Sequence, residues 1–167
     1  MTPRPFLRWP DPRLRQMAAP VEAITDGIRA IWDEMEVVMR GMPGAGVGLA
    51  APQLGIPLAL ALVDAGDALG CTRLANPRIV HASTQFRDHE EASPNLPGVS
   101  AKVRRPRAVT VAYTDEHGAA CEEEFVMLRA TSVQHQIDHL HGKLFIHRLS
   151  PTKRQMLERK AAKRARG

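Results

Sequence analysis

Two histidines four residues apart, His135 and His139, are the residues of this 167-residue chain whose type and spacing point most directly to chemistry. On a helix they stand on one face, so both imidazoles can reach a single metal ion. A hydrolase built on the pattern H-E-x-x-H carries between them a glutamate that takes a proton from metal-bound water. Here that position is Gln136. A carboxamide has nearly the shape of a carboxylate but accepts no proton at ordinary pH. The pattern therefore describes a hydrolytic site without its general base. With 7 histidines in the chain, about 0.3 pairs at this spacing arise by chance, so the pair taken alone reads as two helix histidines that pack or cap.

The neighbouring segments change that balance. Gly46-Val47-Gly48-Leu49-Ala50-Ala51-Pro52-Gln53 forms one motif, Glu91-Ala92-Ser93-Pro94-Asn95-Leu96-Pro97-Gly98 a second, and Gln134 to Gly142 a third. Together, in this order, they resemble the signatures of the peptide deformylase family, G-x-G-L-A-A-P-Q, E-G-C-L-S-x-P-G and Q-H-E-x-D-H-L-x-G. Pro10 to Arg15, Asn76-Pro77, Leu144-Phe145 and Arg148-Leu149-Ser150 extend the similarity, which runs from about Arg8 to Ser150.

The resemblance implies a metallohydrolase that removes the formyl group from N-formylmethionine peptides. It implies an α+β fold in which antiparallel β-sheets pack around a central helix carrying the histidine pair. Carried over by position, the metal ligands are His135, His139 and Ser93, and the ion is Fe2+ or Zn2+. Where the family has a thiolate, this chain has Ser93, a neutral and hard hydroxyl that should hold such an ion weakly or not at all. Ser93 reads equally as a plain loop hydroxyl. Glu91 is the natural substitute ligand, although the family uses that position to support a ligand, and recruiting it needs a loop shift.

The catalytic positions implied by the resemblance are Gln136 and Gln53, and the peptide-binding positions are Val47, Gly48 and Pro94. The family stabilises a developing oxyanion with the backbone N–H at position 94 and the side-chain amide at position 53. Proline has no N–H, and one such donor is typically worth about 10²–10³ in rate. Asn95 replaces a serine, and Ser100 stands where many relatives have arginine. Arg105 is retained, but a lone arginine near a loop reads as a solvated side chain. Base, thiolate and oxyanion donor are all affected, which implies a deformylase-like protein with impaired or lost activity. The competing reading is a working metallohydrolase using two histidines with Ser93, Glu91 or water. A serine hydrolase built on Ser93 and His135 is a weaker third, because no G-x-S-x-G turn is present.

The elements that must position these residues are legible in the pattern. Ile24 to Arg40 reads as a helix capped by Asp26, with Ile28, Ile31, Trp32, Met35, Val38 and Met39 at helical spacing and Gly41 and Pro43 ending it. Gly44, Gly46 and Gly48 make a turn into the first motif. No dinucleotide pattern follows it, which excludes a Rossmann reading. Leu58 to Val63, Leu74 to Val80 (broken by Pro77), Val109 to Tyr113 and Ala120 to Phe125 read as strands, the last two joined by a turn at Asp115 to Gly118. Leu128 to Leu140 is the motif helix, stopped by Gly142. Lys153 to Ala165 is a terminal helix.

The length suits one domain, expected over residues 1–150, followed by a basic helix or tail over 151–167. Charge is concentrated in that tail. From Pro151 onward lie seven basic residues and one acid, a net +6 against +5 for the whole chain, so the remainder is nearly neutral. The tail reads equally as a solvated helix removable without harm to the fold, or as a contact to phosphates. The resemblance implies docking on the ribosome. Cys71 and Cys121 read as free thiols. No apolar run approaches the ~20 residues of a membrane span, and the N-terminus lacks an apolar signal core, so a cytoplasmic protein with no membrane partner is expected.

Overall fold

The structure is a computed structural model that describes residues 2–42 and 46–166. Its first helix, α1, spans Asp26–Arg40 and buries Trp32, Met35, Val38 and Met39 on one face. The cap is Thr25 and not Asp26. The Thr25 hydroxyl accepts a hydrogen bond from the Ile28 N–H at 3.2 Å, while Asp26 faces solvent and pairs with Arg29. Either residue type can cap, but only the one in extended backbone just before the first turn has the right geometry, and that is Thr25. Gly41 follows the last helical residue as expected. Pro43, expected to end the helix with Gly41, and Gly44, assigned to the turn, lie outside the described residues.

Five strands form one antiparallel sheet in the order β1 (Gly48–Ala50), β2 (Leu60–Val63), β3 (Thr72–Ala82), β6 (Ala108–Thr114) and β7 (Ala120–Val126). β4 (Phe86–Ala92) and β5 (Ser100–Pro106) make a separate antiparallel pair. The second helix, α2, spans Met127–Leu140, and the third, α3, spans Pro151–Arg166. The alternation along β2 shows why it is apolar throughout. Leu60 and Leu62 join α1 residues in one core cluster, while Ala61 and Val63 belong to clusters that include Leu140, Val133 and Ile137 of α2. A strand covered on both faces cannot keep a polar side.

Two expectations about strands are corrected. Pro77 does not break β3, which runs through it for 11 residues. The pairing with β6 shifts register between Ala75 and Arg78, and such an irregularity accommodates a residue with no N–H to donate. Asn76 sits at a φ of 52° there, and its side chain bonds both the N–H and the carbonyl of Val21. The β4–β5 pair is the second correction, since neither strand is legible in the pattern. Phe86–Ala92 is mostly charged, and only Glu91 in it is buried. What makes it a strand is a pairing partner and not an apolar alternation.

The terminal helix is part of the body. Leu157 and Ala161 are buried with Leu96, Val99, Val103, Leu144, Phe145 and Ile146. Removing it would uncover that cluster, so the expectation that the fold ignores its loss is corrected. Both cysteines are free. Burial, reinforced by the Glu36 carboxylate, pushes the Cys71 thiol up to about 12.

Candidate active site

Helix α2 is buried on every side from Arg129 to Leu140. A segment that includes Gln134, His135, Gln136, Asp138 and His139 can be buried only if its polar groups find partners. Gln134 donates to the carbonyls of Pro106 and Ala130 at 3.0 Å each. Asp138 receives Arg105 Nη1 at 2.9 Å and a second arginine, Arg148. Gly142, at a φ of 74°, ends the helix as expected, and a side chain there would run into the Arg15 carbonyl.

The first motif brings the chain up against this helix. A Cβ at Gly48 would lie 2.6 Å from Gln136 Nε2 and 2.9 Å from the Leu62 carbonyl oxygen, and would strike Ser132 Oγ. Glycine at 48 is therefore what allows β1 to lie against α2. The Ser132 hydroxyl closes the contact by donating to the Val47 carbonyl at 2.8 Å. Gly48→Ala should lower stability by about 1–3 kcal/mol, because backbone cannot move aside cheaply. A thermal melt with an unchanged midpoint would show that β1 and α2 have room to separate.

His135 and His139 face each other, their Nε2 atoms 3.1 Å apart. Two imidazoles on one tetrahedral metal, bound at about 2.0–2.1 Å, hold their nitrogens roughly 3.3 Å apart. His135 Nδ1 donates to Glu91 Oε1 at 2.8 Å, which leaves its Nε2 lone pair pointing at His139. His139 is 1 % exposed. Burial, then the neighbouring His135, hold its pKa well below the ordinary histidine range, so it is neutral.

The Glu91 carboxylate is engaged by other side chains. It lies on β4, and Arg105 on the paired strand grips it with bonds of 2.6 and 2.9 Å. Burial alone would raise its carboxyl, but the bonds from His135 and Arg105 outweigh burial and bring it to about 2. Arg105 itself is 3 % exposed. The reading of Arg105 as solvated is corrected: it ties Glu91 to Asp138 across the two-stranded sheet and the helix.

Ser93 and Gln53 meet at Asn95, a residue to which its sequence position gave no role. Asn95 is fully buried. Its Oδ1 accepts from Gln53 Nε2 at 2.7 Å and from the Ser93 hydroxyl at 3.1 Å. Its Nδ2 donates to the carbonyls of Leu7 at 2.6 Å and Gln53 at 3.1 Å. Gln53 Oε1 accepts from the Ala50 N–H at 2.9 Å. Ser93 thus turns to Asn95 and Gln53, and among the described residues its hydroxyl is bonded to no histidine. The one available signal was asparagine in a motif position where the relatives have serine.

A cavity of about 260 Å³ opens beside this cluster. Val47, Gly48, Gln53, Pro94, His135 and Gln136 line it. Ser93 borders a neighbouring groove instead, and His139 is buried beside His135. Ser100, whose position holds a peptide-binding arginine in many relatives, is bonded to Glu90 on the partner strand.

The donors present do not complete a metal site. They supply two imidazoles and a neutral hydroxyl already bonded elsewhere, and the Glu91 carboxylate beside them is held by Arg105. Among the described residues no group of three His, Cys, Asp or Glu is placed to hold an ion.

The fold, the three motifs and the paired histidines together point to one family of proteins. The family model described as Polypeptide deformylase matches residues 3–155, and the chain belongs to that family. It is 40 % identical over 168 residues to a peptide deformylase of Rhizobium meliloti (strain 1021), covering 99 % of this chain and 95 % of the relative. It is 38 % identical over 167 residues to a protein of Bradyrhizobium diazoefficiens named peptide deformylase-like, covering 100 % and 97 %. Among solved structures, a peptide deformylase from Legionella pneumophila superposes with a TM-score of 0.89 at 38 % identity, over 99 % of this chain and 96 % of that one. One from Ehrlichia chaffeensis, in complex with actinonin, gives 0.90 at 30 % identity over 100 % of both chains. Among the described residues, no helix is long and apolar enough to cross a membrane.

Proposed function

We propose that this protein keeps the peptide-binding cavity of a deformylase and has lost most or all of the hydrolytic step. One observation carries the reading: the groups at the reacting positions are chemically withdrawn. Gln136 cannot take a proton. The Gln53 amide is bonded to Asn95, and Pro94 has no N–H to offer. The Ser93 hydroxyl is bonded to Asn95. What remains is a preformed cavity next to an oriented pair of histidines, suited to holding an N-terminal formyl-Met-like peptide without cleaving it.

Metal content and turnover together test this. Protein purified without chelators should carry well under one equivalent of iron, nickel or zinc by elemental analysis. It should bind formyl-Met tripeptides while releasing formate no faster than a buffer control. Stoichiometric metal that survives dialysis, together with rapid formate release, would establish the competing reading. The feature that favours that competitor is the 3.1 Å approach of His135 Nε2 and His139 Nε2.

We also propose that α3 contacts ribosomal RNA. Arg154 is paired with Glu158 at 2.8 Å, whereas Lys153, Arg159, Lys160 and Lys163 are exposed. Binding through phosphates should weaken steeply with salt, the slope falling by about 0.7–0.9 for each contact removed. Because truncation would disturb the Leu157 cluster, the suitable variant replaces Arg159, Lys160 and Lys163 with glutamine. Co-sedimentation with ribosomes should fall in that variant with its melting temperature unchanged. Equal co-sedimentation of both proteins at every salt concentration would rule the contact out.

A further inference from the structure

A second cavity, of about 340 Å³, opens where α2 ends and shares no residue with the cavity beside His135. Arg15, His141, Gly142, Lys143, His147 and Arg148 line it, and no carboxylate is among them. Acids on the adjoining elements are engaged elsewhere. Asp11, just before the helical turn Pro12–Arg15, pairs with Arg13 at 2.8 Å. Asp138 on α2 receives Arg105 and Arg148, and Glu158 on α3 receives Arg154 at 2.8 Å. Cations gathered around one cavity repel each other, and an anion seated between them relieves that repulsion.

The segments that carry these cations are locked together. The Arg15 carbonyl lies where a side chain at position 142 would stand, so only glycine lets the two backbones meet. The Ala18 N–H donates to the Leu140 carbonyl at 2.8 Å, and the Lys143 N–H to the Asp138 carbonyl at 2.9 Å. Arg148, at the end of the turn Phe145–Arg148, directs its Nε and Nη2 to Asp138, which leaves Nη1. His147 Nδ1 accepts from the Leu144 N–H at 2.9 Å. Burial, then the nearby Arg154 and Arg15, hold the pKa of His147 below the ordinary histidine range. The ring is therefore neutral at pH 7 and carries its proton on Nε2, where it donates.

We propose that this cavity binds a terminal phosphate group, with Arg15, Lys143 and Arg148 as its charged contacts and the His147 N–H as a neutral donor. A phosphate monoester carries about 1.5 to 2 negative charges near pH 7 and three strong acceptor oxygens. That suits three cations from separate segments better than the single charge and two oxygens of a carboxylate. Guanidinium groups match phosphate oxygens in geometry as well as charge. The inference stands apart from the peptide cavity and from the α3 contact, since Arg159, Lys160 and Lys163 are not among the lining residues. A terminal phosphate arrives either on a free nucleotide or at the 5′ end of an RNA chain, and the two sources separate by experiment.

The experiment is a calorimetric titration of the full-length protein at low salt with four probes: adenosine, adenosine 5′-monophosphate, a 5′-phosphorylated RNA hexamer and the same hexamer ending in a 5′-hydroxyl. The monophosphate should bind about tenfold or more tighter than adenosine, the value of one or two charge-assisted hydrogen bonds. The phosphorylated hexamer should exceed its hydroxyl counterpart by a similar factor. Equal affinity for the monophosphate and the phosphorylated hexamer would assign the site to small phosphate esters, and about tenfold tighter binding of that hexamer would assign it to an RNA end. Arg15 and Lys143 are exposed, so Arg15→Gln/Lys143→Gln should keep the melting temperature while losing about tenfold or more in monophosphate affinity. Replacing Arg159, Lys160 and Lys163 with glutamine should leave that affinity unchanged. The proposal is overturned if the monophosphate binds no tighter than adenosine, if the Arg15/Lys143 variant keeps full affinity, or if the α3 variant loses as much as it does.

Discussion

The double variant Ser93→Cys/Gln136→Glu should bind one equivalent of metal and release formate from a formyl-Met peptide at a rate clearly above the wild type, whereas neither single change should restore turnover. Ser93→Cys would add the soft anionic ligand that the two imidazoles lack. Gln136→Glu would add a proton acceptor, an effect typically worth about 10²–10⁴ in rate. Each is idle without the other, because a base needs an activated water and a metal-bound water needs a base. Groups that act as a unit do not contribute additively. A ceiling should remain, since Pro94 withholds a backbone donor typically worth about 10²–10³. Gln53 is also held at 2.7 Å by Asn95, so adding Asn95→Ser to the double variant should release its amide and raise the rate further. Metal content, kcat and KM measured across the set decide the question. Strong turnover in either single variant would mean that the losses are independent, and the interdependence of ligand and base would be refuted.

Arg105→Leu should be the most destabilising single substitution at the site, at about 3–5 kcal/mol. The guanidinium lies between two buried carboxylates, bonded to Glu91 at 2.6 and 2.9 Å and to Asp138 at 2.9 Å. Without it, Glu91 keeps only the His135 bond and Asp138 only Arg148. An unpaired buried carboxylate is far more costly than the pair it came from, and this asymmetry sets the size of the effect. Chemical denaturation read by tryptophan fluorescence gives the number, since Trp32 is fully buried. The compensated triple variant Arg105→Leu/Glu91→Gln/Asp138→Asn should recover part of the loss. If Arg105→Leu were within about 0.5 kcal/mol of wild type, as surface changes usually are, the network would contribute little.

The histidine pair, the absent base at Gln136 and the motif helix were legible in the sequence because all three depend on local spacing. A helix places residues i and i+4 on one face whatever surrounds it. The same holds for the apolar face of α1, for the turn at Asp115 to Gly118 and for the stop at Gly142. The charge of α3 is likewise a count of residues. Tertiary structure alone decided the partners. Arg105 and Glu91 are 14 residues apart and meet because β4 and β5 pair, a pairing that no apolar alternation announced. Gln53 and Asn95 are 42 residues apart, and whether the Gln53 amide faces a reacting group or another side chain depends on where the two loops arrive. His89 sits in a strand that reads as charged surface, yet lines the cavity. Sequence spacing determines which residues share a face of one element. Which donors face which acceptors across elements is set by packing, and that choice separates an armed site from a site whose groups are bonded to each other.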